Sequence, residues 1–208
     1  SVLIQKAQKF GFFIALMTPG FRLYSIIGTA KDGNTLLHRK QYLYEGLGLA
    51  KVITTNKMKN QLYEMTTIRN KSEYVLESIA AVKSYIEKLP EVESLNELMA
   101  YEGLASKVYF RSHFNNVPWK GRQPRIKKDY INSVMDIGYT LLFTFMDALL
   151  SCYGFDTYCG VMHCQFYMRK SLVCDLAEPF RPLIDHEIKK AIHLRQIQEE
   201  DFLVMNGQ

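Results

Sequence analysis

The sequence has no C-x-x-C pair, no internal repeat, no low-complexity stretch and no apolar run long enough to cross a bilayer. Each absence removes a class. Without C-x-x-C, the four cysteines at 152, 159, 164 and 174 match neither zinc-knuckle nor redox spacing, and they read as structural thiols of a reducing compartment. A zinc site using some of them with His163 is the minor alternative. The stretch Phe10–Met17 behind Lys6 and Lys9 has a faint look of a signal peptide. It is short, however, meets Thr18-Pro19-Gly20 and lacks a small-residue cleavage site. The run Ile137–Leu150 falls short of bilayer thickness and carries Asp147. A soluble, intracellular protein without a membrane partner is expected. No methionine precedes Ser1, as in a fragment or a processed chain.

What is present is ordinary globular material: 208 residues, 48% hydrophobic and 23% charged. That is enough for one core, or a core plus a small appended unit, and too rich in Leu, Ile, Val, Phe and Tyr for disorder. The net charge of +5 is unevenly spread. Lys and Arg outnumber Asp and Glu nine to two over residues 1–60 and seven to two over 101–130. The balance reverses to four against seven over 61–100 and six against ten over 131–208. Basic blocks beside acidic ones suit an enzyme that holds a polyanion and keeps a metal site, although an unevenly charged solvated surface gives the same pattern.

The expected fold is mainly α, a large α-helical domain over 31–208 behind a short β piece over 1–30. Phe12–Met17 and Phe21–Ile27 flank a Pro-Gly turn and read as a β-hairpin. Two strands are marginal alone, so further strands are expected to complete them. Asn34 caps a first helix. A second runs from about Leu47 to Ile68, with Leu49, Val52, Ile53, Leu62 and Met65 as its apolar positions. Ser72 opens a third, which Pro90 closes. Ser94-Leu95-Asn96-Glu97 is a capping box for a helix reaching about Phe110. Asp129 caps an apolar helix from Tyr130 to Tyr153, ended by Gly154. The last helix covers about Ser171 to Ile197, with Pro179 and Pro182 kinking its first turns.

Between Asn115 and Lys128 the regularity breaks. Lys120, Arg122, Arg125, Lys127 and Lys128 alternate there with Pro118, Trp119, Gly121 and Pro124. Cations on a proline-restrained loop suit phosphate contacts, so these five are the candidate DNA-binding residues; the plain alternative is a solvated connector.

Three places carry candidate chemistry. Glu102 sits beside the small residues Gly103 and Ala105. His163 follows the turn at Gly154. Asp175 and Glu178 are three apart on one helix face, among Leu172, Val173, Leu176, Ala177 and Phe180. Singly each has a bland reading, a solvated Glu or a hydrogen-bonded His. Two acids in an apolar setting, however, repel and lose hydration unless a cation compensates. Carboxylate oxygens with one imidazole suit magnesium or manganese.

Several strings are similar to the CRISPR-associated spacer integrase family, Cas one. They are Gly33-Asn34 with Arg39 and Gln41-Tyr42, Asn56-Lys57 with Asn60-Gln61, and Glu102-Gly103 with Ala105 and Tyr109-Phe110. Arg122, Asp129 and Asn132 follow, then Gly138-Tyr139, Leu141-Leu142, Gly154-Phe155-Asp156 and Gly160 with His163. The most specific is Ser171-Leu172-Val173-Cys174-Asp175-Leu176-Ala177-Glu178-Pro179-Phe180-Arg181-Pro182. The resemblance implies an N-terminal β domain, of which only the hairpin is in the chain, ahead of a helical catalytic domain. The shortfall fits either a truncated chain or a short form. It carries the metal ligands onto Glu102, His163 and Glu178, with Asp175 as a further catalytic acid and Mg2+ or Mn2+ as cofactor. It implies a homodimer or higher oligomer, bridged by a small Cas two subunit in the prokaryotic cytoplasm. The implied reaction joins 3′-hydroxyl ends of short prespacer DNA to a repeat by transesterification. A metal nuclease that never joins ends, a non-catalytic DNA-binding assembly subunit, and a zinc-structured helical domain are the alternatives.

Overall fold

The computed structural model describes residues 2–28, 34–117, 119–123, 129–163 and 166–203. It is mainly α, with one small antiparallel sheet among the described residues. The elements are α1 (Val2–Phe10), β1 (Phe13–Met17), β2 (Leu23–Gly28), α2 (Thr35–Tyr42), α3 (Gly48–Thr66) and α4 (Glu73–Lys88). Then come α5 (Leu95–His113), α6 (Tyr130–Cys152), α7 (Ser171–Ala177) and α8 (Arg181–His193). Helix α1 is not anticipated by the sequence reading. Its residues include those taken for the start of a signal-like stretch.

Two compact units emerge. One comprises residues 1–46 and 140–177, the other 47–139 and 178–208. The sequence division at residue 30 follows secondary-structure type. Packing instead groups the hairpin with the second half of α6 and with α7.

In the first unit, β1 pairs with β2 from Phe13↔Gly28 to Met17↔Leu23, with an irregularity between Leu16 and Met17. The second strand starts two residues later than expected because Phe21 has φ 64°. That left-handed conformation belongs to turns, not strands. Thr18 closes the turn, accepting from the Arg22 N–H through Oγ1 at 3.0 Å. The same unit holds a core of Met146, Leu150, Leu172 and Val173. Gly154 follows α6 at φ 74°, the left-handed residue that ends many helices.

The second unit packs α3, α4 and α5 around Met58, Met65, Val75, Val82 and Leu98, all fully buried. Each such side chain contributes roughly 1.5–3 kcal/mol of transfer free energy. A second cluster, Phe114, Val117, Ile131, Met135 and Ile188, ties the start of α6 to α8. Helix starts obey local chemistry. Ser72 accepts from Val75 N–H, Ser94 from Glu97 N–H, and Asp129 from Asn132 N–H at 2.7 Å. The Ser94 box is not reciprocal, however: Glu97 accepts from the Glu93 N–H instead.

Helix α3 departs most from its sequence reading. Leu49 and Val52 are exposed, whereas Thr54, Lys57, Gln61 and Glu64 are buried at helical spacing. The buried face of this helix is half polar, and the site is built on it. Helix α6, at 23 residues, is longer than the apolar run read from sequence and is long and apolar enough to cross a membrane by length and composition. Two acids on it are ion-paired, Asp136 to Arg122 at 2.5 Å and Asp147 to Lys170 at 2.7 Å.

Candidate functional site

In the second unit, Lys57 of α3 reaches between Glu102 of α5 and Glu178, which opens a single 3-10 turn (Glu178–Phe180) between α7 and α8. Its ammonium donates to Glu102 Oε1, and to Glu178 Oε2 at 2.6 Å. The turn exists because Pro179 cannot donate to a continuing helix. Asn60 holds it by donating to the Pro179 carbonyl at 2.7 Å. The expected kink is therefore a full break in the helix.

The carboxylates have further partners. Ser106, one turn after Glu102, donates to its Oε1 at 2.7 Å and accepts from Gln61 at 3.0 Å. Arg181 pairs with Glu178 Oε1 at 3.0 Å and lies 4.9 Å over the Tyr139 ring. The side chain of Glu178 is 5% exposed and that of Lys57 10%. At an effective dielectric of about 20, unit charges about 3 Å apart attract by roughly 5 kcal/mol. Burying an ion costs several kcal/mol, so one ammonium between two carboxylates can stay charged. Burial pulls the Lys57 pKa down, but Glu178 and Glu102 outweigh it and hold it above the ordinary value. Burial likewise raises Glu102, and the Lys57 charge with bonds from Lys57 and Ser106 brings it below the ordinary carboxylate range.

A third buried acid lies on α8. Asp185 accepts from Tyr139 OH at 2.5 Å and Tyr109 OH at 3.1 Å. Burial, only partly opposed by these bonds, pushes its pKa up to about 7.

In the first unit, Asp175 is completely buried on α7. Its Oδ2 accepts from the N–H groups of Val161 and Met162 at 2.6 and 2.9 Å. Its Oδ1 accepts from the His163 N–H at 2.9 Å and its ring Nδ1 at 2.6 Å. Gly160 permits this clamp: a Cβ there would stand 2.6 Å from Ser171 Cβ and 2.7 Å from Asp175 Oδ2. The preceding turn is braced from α2. Gln41 bonds both the N–H and the carbonyl of Asp156 at 3.0 Å, Tyr42 OH donates to its Oδ2 at 2.6 Å, and His38 bonds the Gly154 carbonyl.

The structure thus brings Glu102 and Glu178 together, and separately joins His163 to Asp175. Both oxygens of Asp175 are filled by these donors. Among the described residues, no three His, Cys, Asp or Glu side chains form a metal-holding group. Two carboxylates that already take a cation between their oxygens nevertheless fit the donor chemistry of a hard divalent ion. Lys57, Arg181, Asp185 and Tyr139 are absent from the sequence-derived site. The signal for Lys57 is its place in the buried polar stripe of α3.

Of the DNA-binding candidates, Arg125, Lys127 and Lys128 lie outside the described residues. Lys120 is exposed on a cavity of about 890 Å3 shared with Tyr74, Gly103, Ser106, Phe110 and Trp119. Arg122 also borders it but is engaged internally, donating to Asn132 Oδ1 at 3.0 Å and pairing with Asp136. These two bonds tie its guanidinium to the start of α6. Cys152, Cys159 and Cys174 are free thiols, and Cys164 lies outside the described residues.

The fold is shared with a chain of a Cas6-RT-Cas1–Cas2 complex and with a casposase. A chain of a partial Cas6-RT-Cas1–Cas2 complex superposes with a TM-score of 0.83 at 22% identity, over 95% of this chain and 64% of its own. A casposase bound to integration product gives a TM-score of 0.68 at 21% identity, over 98% of this chain and 60% of its own. The family model for CRISPR associated protein Cas1 matches residues 1–208, and the chain belongs to that family. A CRISPR-associated endonuclease Cas1 of Archaeoglobus fulgidus is 30% identical over 207 residues, 86% of this chain. The chain spans 59% of the length of that relative.

Proposed function

We propose that this chain is the catalytic part of a divalent-metal-dependent DNA integrase and endonuclease, acting in CRISPR adaptation and antiviral defence in a prokaryotic cytoplasm. Its substrates would be a short prespacer duplex with 3′-hydroxyl ends and a CRISPR repeat. The observation that carries this reading is the convergence of Glu102 and Glu178, from distant segments, on one buried positive charge. The endonuclease name of the relative and the integration product held by the casposase support the same chemistry. The Cas1–Cas2 complex supports a Cas2 partner subunit, and the chain would act as a homodimer or higher oligomer.

Mg2+ or Mn2+ would be held by Glu102, Glu178 and His163, a set of oxygens with one imidazole. The bound metal would supply Lewis-acid polarisation of the scissile phosphate. Asp175 would hold His163 through Nδ1, leaving Nε2 for ligation and fixing the ring orientation. Lys57 would yield its place between the carboxylates and, with Arg181, offset negative charge developing on the phosphate. Lys120 and the aromatic rings around it, two residues of whose cavity flank Glu102 on its own helix, would hold a DNA strand through phosphate contact and stacking.

The test is strand transfer of a short duplex into a plasmid bearing a repeat, with Mg2+, Mn2+ or chelator. Glu102→Ala and His163→Ala should each abolish joining while DNA affinity stays near wild type. Full activity of both variants sinks the ligand set. Cutting without joining points to a plain metal nuclease. Salt-sensitive, chelator-indifferent binding with neither activity points to an assembly subunit.

A further inference from the structure

We propose that the second unit carries a separate phosphate-binding pocket at the end of α5 remote from Glu102. About 16 Å of helix rise separates Glu102 from His113. There, α3, α5 and α8 surround a cavity of about 350 Å3.

His113 of α5 lines this cavity, is 1% exposed, and its ring nitrogens are sealed from solvent beside the Asp185 backbone. Burial, with the Lys189 charge, pulls its pKa down to about 3, so the ring is neutral and adds no charge of its own to the wall.

Around it the charge is positive. Lys189 is partly buried and has no ion pair among the described residues, and neither does the exposed Arg69. Burial lowers the Lys189 pKa, with only Glu64 opposing. Glu64 is the one acid on the cavity wall, and it is taken up by His186, whose Nδ1 lies 2.8 Å from its Oε2. That contact leaves His186 Nε2 free to face a ligand.

A cation is a poor occupant. Two unpaired positive side chains repel it, and no three ligating side chains group here among the described residues. A tetrahedral anion with several acceptor oxygens matches the wall: the guanidinium of Arg69, the ammonium of Lys189, the imidazole of His186, and the amides of Asn70 and Asn116. The pocket does not depend on the metal chemistry proposed above. Its phosphate could belong to a DNA backbone or to a free phosphate compound.

The test follows the imidazole nitrogens of His113 and His186 by NMR while inorganic phosphate is titrated into the full chain with chelator present. Wild type and a control, Lys59→Ala, should show a saturating shift. The double variant Arg69→Ala/Lys189→Ala should bind at least about tenfold more weakly, the loss expected when two charge-assisted contacts go. Circular dichroism checks its fold, and the milder Lys189→Gln should weaken binding in the same direction. Single-stranded DNA binding over a salt series then identifies the source. If backbone phosphates fill the pocket, the double variant loses up to about two units of the log–log salt slope. An unchanged slope with weakened phosphate binding assigns the pocket to a free phosphate compound. No shift in wild type, an equal shift in the double variant, or a response to zinc but not to phosphate overturns the proposal.

Discussion

Asp175 and the Glu102–Glu178 pair are both buried acids, yet they are satisfied in different ways. Asp175 is held by three backbone N–H groups and one ring nitrogen. These donors are tied to the chain and cannot be exchanged without moving it. Glu102 and Glu178 share the ammonium at the tip of Lys57, on a stem with four rotatable bonds. An acid bonded by backbone is part of the scaffold, whereas an acid bonded by a movable cation can trade that cation for another. Asp185 is a third case. Burial raises its pKa, and its donors, two neutral hydroxyls, offset only part of that rise.

The comparison is broken most severely by Asp175→Ala. Three N–H groups lose their acceptor inside the protein, and the loss should be about 5 kcal/mol, the upper end for removing one partner of a buried charged contact. Thermal unfolding checks this. Stability that divalent metal restores would mean Asp175 is not a scaffold acid.

Lys57→Met should cost less, about 3 kcal/mol, because water or an ion can take the place of the ammonium. Melting temperature with and without Mn2+ sharpens the contrast. Metal should stabilise Lys57→Met more than wild type, since no ammonium competes for the oxygens. An equal metal effect in both would show that lysine and metal do not share a position.

The smallest effect is in pH. Asp185 has a folded pKa of about 7 against an ordinary 3.8, so the folded state holds the extra proton and stability falls as pH rises through that window. His113 has a folded pKa of about 3 against an ordinary 6.5, so the unfolded state holds the extra proton and stability rises with pH between these values. The slopes are opposed, each at most about 1.4 kcal/mol per pH unit, and largely cancel between pH about 4 and 6.5. Asp185→Asn should therefore give stability that climbs with pH there, and His113→Phe stability that declines. Chemical denaturation across pH measures both, and parallel curves for the two variants would rule out the pairing.

The sequence is most readable where structure is local. Asn34, Ser72, Ser94 and Asp129 cap their helices because a short side chain reaching two or three N–H groups ahead needs no tertiary partner. Pro179 interrupts the last helix for an equally local reason. The carboxylates were legible from the motif around Glu178 and the position of Glu102. Lys57 was not, because a lysine on a helix ordinarily meets water, and only α5 and the 3-10 turn make its position an interior one. The partners of Arg122 were not legible either, because a loop arginine reads as free until Asp136 is found within 2.5 Å of it. Leu49 and Val52 are apolar positions of α3, yet the helix leaves them exposed and turns its polar stripe inward.

Gly160 sets how accurately the imidazole of His163 is placed. No side chain separates that backbone from Ser171 and Asp175, so there is no rotamer to slip and no methylene to compress. The spacing is fixed by atomic radii alone, and the ring inherits the tolerance of the peptide backbone itself.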